Sequence, residues 1–77
     1  MNRNDLIGVV NCGYKIIRQG RFAVIAQSLT SDQFVAWNYF ENTNGINYEW
    51  GRYGTLESAT IAFDKKEKGE YSGEGNF

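Results

Sequence analysis

From residue 34 to 40 the chain runs Phe34-Val35-Ala36-Trp37-Asn38-Tyr39-Phe40, bounded by polar clusters. A short run this rich in aromatic and β-branched side chains predicts a strand. A polar stretch with Asn44-Gly45 follows, then Ile46-Asn47-Tyr48-Glu49-Trp50-Gly51-Arg52-Tyr53. Asn-Gly is a strong hairpin signal because both residues tolerate positive φ. Two registers fit this hairpin. One sets Tyr39 opposite Trp50 and Trp37 opposite Arg52; the other sets Tyr39 opposite Tyr48 and Trp37 opposite Trp50. Both place Val35, Trp37 and Tyr39 on one face with Tyr48, Trp50 and Arg52, whereas an odd slip would split the aromatic cluster. The opposite face, with Phe34, Ala36, Asn38, Asn47, Glu49 and Gly51, is smaller and more polar, so the aromatic face is expected to point inward. Gly51 signals a bulge or a close backbone approach.

After Gly54 the pattern changes to helical spacing. Thr55 is a good N-cap, and Glu57 suits the positive end of the helix dipole. Lys65, Lys66 and Lys68 suit the negative end, and Gly69 supplies a stop. Leu56, Ala59 and Phe63, with Ala62 at the edge, form a narrow apolar stripe that needs a sheet to lie on. Upstream, residues 14–18 and 22–26 predict two strands around Gln19-Gly20, apolar on both faces and therefore central or covered. Before them, Leu6, Ile7 and Val10 form the apolar edge of a short N-terminal helix, with Asn2 or Asn4 as its cap, Asp5 in its first turn and Gly13 as its stop. The expected fold is α+β: a four-stranded antiparallel β-meander with a short N-terminal helix and a C-terminal helix, in the order α-β-β-β-β-α. The helices are expected to cover one face together. Residues 1–68 form a single domain, and the Gly-rich residues 69–77 a flexible tail.

The chain has 77 residues and 16% aromatic content. A domain this short buries only about 60% of its unfolded surface, so the rings are needed as core. Residues 1–21 carry a net charge of +3 and residues 22–64 one of −4, which gives a basic and an acidic region. No apolar run is long enough for a membrane span, no signal peptide is evident, and the single Cys12 cannot form an intramolecular bridge. A cytoplasmic setting follows as the expectation.

There is no histidine, which removes the usual acid–base group near neutral pH and the commonest transition-metal ligand. Cys12, read at the end of the first helix, has no base to activate it. Glu41 and Glu49 fall on opposite faces of the hairpin. No nucleotide or calcium motif is present. The expectation is a non-enzymatic protein without cofactor or metal. Arg18 and Arg21 at the tip of the first hairpin suggest a phosphate or carboxylate clamp, against the plainer reading of two solvated charges.

Aromatic side chains and arginine dominate interaction hot spots. The partner-binding candidates are Tyr48, Arg52 and Tyr53 with Phe40, and the acidic residues Asp32, Glu41 and Glu49. An alternative reading makes the sheet a single-stranded nucleic-acid binder that stacks bases on Trp37 and Trp50, with Arg52, Arg18 and Arg21 serving the phosphates. A third is a homodimer, a possible homo-oligomer whose exposed sheet edge or aromatic face pairs with itself.

The opening Met1-Asn2-Arg3-Asn4-Asp5-Leu6-Ile7, a short helix, and Gly13-Tyr14-Lys15 entering a strand resemble the start of a small anti-CRISPR protein that blocks an RNA-guided nuclease. The likeness covers about the first 15 residues, and no inhibitory residue is carried over. The aromatic strand, residues 48–53 and a capped helix are similar in style to small accessory proteins of phages and mobile elements. The resemblance implies an inhibitor that binds a bacterial defence nuclease, as a host protein or protein–nucleic-acid complex, in the host cytoplasm.

Overall fold

The structure, a computed structural model, describes residues 6–69. It is a five-stranded antiparallel sheet, curled into a half-barrel, with one helix. The strands β1 (Val10–Asn11), β2 (Tyr14–Gln19), β3 (Ala23–Ser28), β4 (Phe34–Asn42) and β5 (Gly45–Gly54) lie in sequence order, and α1 (Leu56–Glu67) follows. The order is therefore β-β-β-β-β-α. The central placement expected for the first hairpin holds for both its strands: β2 pairs with β1 and β3, and β3 with β2 and β4.

The expected N-terminal helix is absent among the described residues. Gly8, Cys12 and Gly13 have φ of 93°, 53° and 80°, which a right-handed helix cannot contain. Cys12 and Gly13 instead make a two-residue turn with positive φ at both positions, and Asn11 pairs with Tyr14 across it. Gly8 N–H donates to the Ile16 carbonyl at 2.8 Å and Ile16 N–H to the Val9 carbonyl at 2.9 Å, so this segment adds an edge to the sheet. Cys12 is thus an exposed turn residue, not a helix end. The expected caps Asn2 and Asn4, the first-turn Asp5 and most of the expected tail lie outside the described residues.

Two bulges curl the sheet. One falls between Ile16 and Arg18 in β2 and the other opposite Trp37 in β5. Toward the hairpin tip Tyr39 faces Tyr48 and Asn38 faces Glu49; toward the base Ala36 faces Arg52 and Val35 faces Tyr53. Trp50 and Gly51 together occupy the place opposite Trp37. Tyr48 shares the face of Trp37, as expected, but the one-residue slip corrects the rest: Tyr53 joins that face, while Arg52 moves to the face of Ala36. Trp50 packs edge-on against Phe40, two residues from Asn38 on that same side, with ring centroids 5.3 Å apart. The bulge requires Trp50 to take φ 57°. The turn lies one residue earlier than Asn44-Gly45: Thr43 and Asn44 separate the paired Asn42 and Gly45. Asn42 Oδ1 accepts from the Asn44 N–H at 2.8 Å, and Gly45 takes the positive φ of 115° that follows.

The core divides between the two faces. On one side Ala23, Ile25 and Ala36, with Phe34 beside them, pack on Ala59, Ala62 and Phe63 of α1. On the other, Leu6, Ile16, Val24, Ala26, Val35, Trp37 and Tyr39 form a second cluster. Among the described residues no second helix covers this face. The curl of the sheet and the Leu6 turn close it, with Leu6 fully buried and its N–H donating to Gln19 Oε1 at 3.0 Å. The α1 cap is as expected: Thr55 Oγ1 accepts from the Ser58 N–H at 3.1 Å. Leu56 departs from the expected stripe and is 48% exposed, outside the cluster that Ala59, Ala62 and Phe63 form with the sheet.

Candidate functional site

The last turn of α1 meets both long hairpins at one end of the sheet. Lys66 continues the stripe of Ala59, Ala62 and Phe63 at helical spacing and is completely buried. Its Nζ donates to Asn38 Oδ1 at 3.0 Å and to the Trp50 carbonyl at 2.5 Å. Asn38 is also fully buried, and its Nδ2 donates to the Phe22 carbonyl at 3.5 Å. Burial holds the Lys66 ammonium well below the ordinary 10.5, at about 8. One lysine thereby ties the helix to the bulge carbonyl of β5 and, through Asn38, to the β2–β3 turn.

Glu67, the next residue, reaches that turn directly. Its Oε1 accepts from the Arg21 N–H at 2.8 Å, and its Oε2 accepts from the Phe22 and Ala23 N–H groups at 2.7 Å each. A Cβ on Gly20 would lie 2.5 Å from the carboxylate carbon, so glycine is required for this approach. Beside the turn, the Arg18 guanidinium stacks over Phe63 at 4.5 Å. Above the bulge, Phe40 and Trp50 are 37% and 43% exposed and form an aromatic ledge on the helix side.

The opposite face holds an aromatic cluster of another kind. Trp37 is 3% exposed and is surrounded by Tyr48, Tyr14 and Tyr53, with ring centroids at 5.4, 5.8 and 6.4 Å. Its Nε1 donates to Tyr53 Oη at 3.3 Å, and Tyr14 Oη donates to Gln33 Oε1 at 3.1 Å. Tyr39 Oη donates to the Gly20 carbonyl at 2.7 Å and accepts from Gln19 Nε2 at 3.3 Å. Burial also pushes the Tyr48 phenol above its ordinary 10.0. The bulge glycine makes this packing possible. A Cβ on Gly51 would sit 2.8 Å from the Tyr53 ring and 2.9 Å from Trp37 Nε1. Gly51→Ala is therefore expected to cost about 1–3 kcal/mol of overpacking strain, read as a lower urea midpoint at unchanged slope.

The residues singled out in the sequence do not form one patch. Tyr48 and Tyr53 come together around Trp37. Arg52 lies on the helix side, in a shallow groove with Ser58, Ile61 and Ala62. Glu49, exposed, faces Asn38, while Glu41 pairs with Ile46 on the aromatic face. Asp32 is at the far end of the sheet, beside Gly54 and Thr55. Of the nucleic-acid candidates, Trp37 is buried and Trp50 is exposed on the other side, whereas Arg18 and Arg21 flank the turn that Glu67 fills. Sequence reasoning missed Asn38, Lys66 and Glu67. For Lys66 the signal was its place on the helical stripe; for Glu67 no local signal existed.

Among the described residues no group of His, Cys, Asp and Glu could hold a metal ion, and no helix is long and apolar enough to cross a membrane. No protein-family model matches the chain, and neither does any curated protein or solved structure.

Proposed function

We propose that this protein is a non-enzymatic interaction module that binds a bacterial defence nuclease through the Phe40–Trp50 ledge. The ledge carries the reading. Two large rings stand exposed on a backbone fixed by a bulge, with the buried Lys66 bonded to the carbonyl of one of them. Rigid aromatic anchors lose little entropy on binding and dominate contact energies. The choice of partner rests on the resemblance of the first 15 residues to an anti-CRISPR protein. The short helix in that likeness is replaced by a turn and β1, so residue identity alone supports it.

The test is capture of purified RNA-guided nucleases by the immobilised protein, with the double variant Phe40→Ala/Trp50→Ala beside it. Together the two anchors are expected to contribute about 2 kcal/mol or more, so the double variant should weaken capture at least ~30-fold. Its near-ultraviolet dichroism from the Trp37 cluster should be retained. Equal capture by both proteins removes the ledge, and no capture of any such nuclease removes the partner.

A further inference from the structure

We propose that the β2–β3 turn is an oxyanion-binding site, and that Glu67 occupies it as an internal ligand. Three successive backbone N–H groups, from Arg21, Phe22 and Ala23, converge on one carboxylate at 2.7–2.8 Å. Consecutive N–H groups in a turn make an anion-binding concavity. Gly20 keeps its floor open, since a Cβ there would meet both carboxylate oxygens at 2.6 and 2.7 Å. Arg18 and Arg21 flank the turn, and residues 1–21 carry the chain's positive excess. The ligand class is a small oxyanion, a phosphate or a carboxylate, in competition with Glu67.

Competition gives the site a consequence for the fold. Glu67 is the last residue of α1, and its neighbour Lys66 holds the Trp50 carbonyl. An external oxyanion that takes the three N–H groups releases the end of the helix from the β2–β3 hairpin. The occupied turn and the exposed ledge are therefore linked through two adjacent helix residues. This inference concerns the turn alone and does not depend on the identity of any partner of the ledge.

The experiment is chemical rescue. Glu67→Ala in chloride buffer should melt several degrees below the wild type. Sodium phosphate and, separately, sodium formate at matched ionic strength should restore much of the loss in a saturable manner, with little effect on the wild type. Amide resonances of Arg21, Phe22 and Ala23 should move along the same titration. Stronger rescue by phosphate identifies a phosphate group as the better ligand, and stronger rescue by formate a carboxylate. The double variant Gly20→Ala/Glu67→Ala should respond to neither, because the added methyl fills the floor; Gly20 does not have the positive φ that would strain alanine. If Glu67→Ala does not fold in chloride, it is prepared in phosphate or formate and exchanged into chloride, where a loss of fold that returning the same anion reverses is the expected result. Equal stabilisation of wild type and variant by the anions, or equal rescue with Gly20→Ala present, overturns the proposal.

Discussion

Replacing Trp37 with alanine is expected to remove about 3–5 kcal/mol of stability, the usual cost of deleting a large buried ring. The whole chain at ~0.05–0.15 kcal/mol per residue commands only about 4–12 kcal/mol. The variant should therefore be partly or wholly unfolded at 37 °C. Trp37 is 3% exposed and touches three tyrosines, so its loss leaves a cavity that several rings must fill. It also removes the donor to Tyr53 Oη. Trp37→Phe keeps a ring and loses the N–H, and a cost of about 1–2 kcal/mol is expected. Urea unfolding followed by far-ultraviolet dichroism checks both values. Wild-type-like stability in Trp37→Ala would mean that the tyrosines do not depend on the indole for packing. The same series separates the fluorescence of the two tryptophans. Trp50, 43% exposed, should be open to acrylamide, while Trp37 should be shielded. Quenching by oligonucleotides would consequently report on Trp50.

Most of the sheet was legible because strand signals are local. Residues 34–40 and 46–53 carry the composition and alternation of paired strands, and Thr55 and Gly69 mark the helix ends by conformational chemistry that needs no partner. The N-terminal segment misled for a physical reason. Leu6, Ile7 and Val10 have helical spacing, but Gly8, Cys12 and Gly13 spend their backbone freedom on left-handed conformations, and cross-strand bonds to Ile16 then decide the outcome. The bulge was announced by Gly51, yet its effect on facing was not. A single unpaired residue turns Arg52 away from Trp37, and the hydrophobic pattern alone does not reveal which residue is extra. The clamp of Lys66 and Glu67 was hidden for another reason. Both fall in a stretch of mixed charge that looks like an ordinary solvated helix end, and their partners are 16 to 46 residues away.

The Lys66 clamp makes stability rise with pH in an alkaline window. In the unfolded chain this amine titrates at its ordinary 10.5, whereas in the fold burial lowers it to about 8. Below pH 8 both states are protonated, and the folded state bears the full cost of a buried ammonium. Between about pH 8 and 10.5 the unfolded state binds more protons, so unfolding becomes less favourable as pH increases. A gain of at most about 3 kcal/mol is expected across this window. Tyr48 sets the upper limit. Its folded pKa is raised above 10.0, so above that pH the unfolded state is the first to lose a proton and stability falls. Urea midpoints measured from pH 7 to 11 should therefore climb and then turn over. Lys66→Met, which fills the same volume without a titrating group, should abolish the climb, and Tyr48→Phe should soften the later fall. A climb that persists unchanged in Lys66→Met would place the titrating amine elsewhere in the chain.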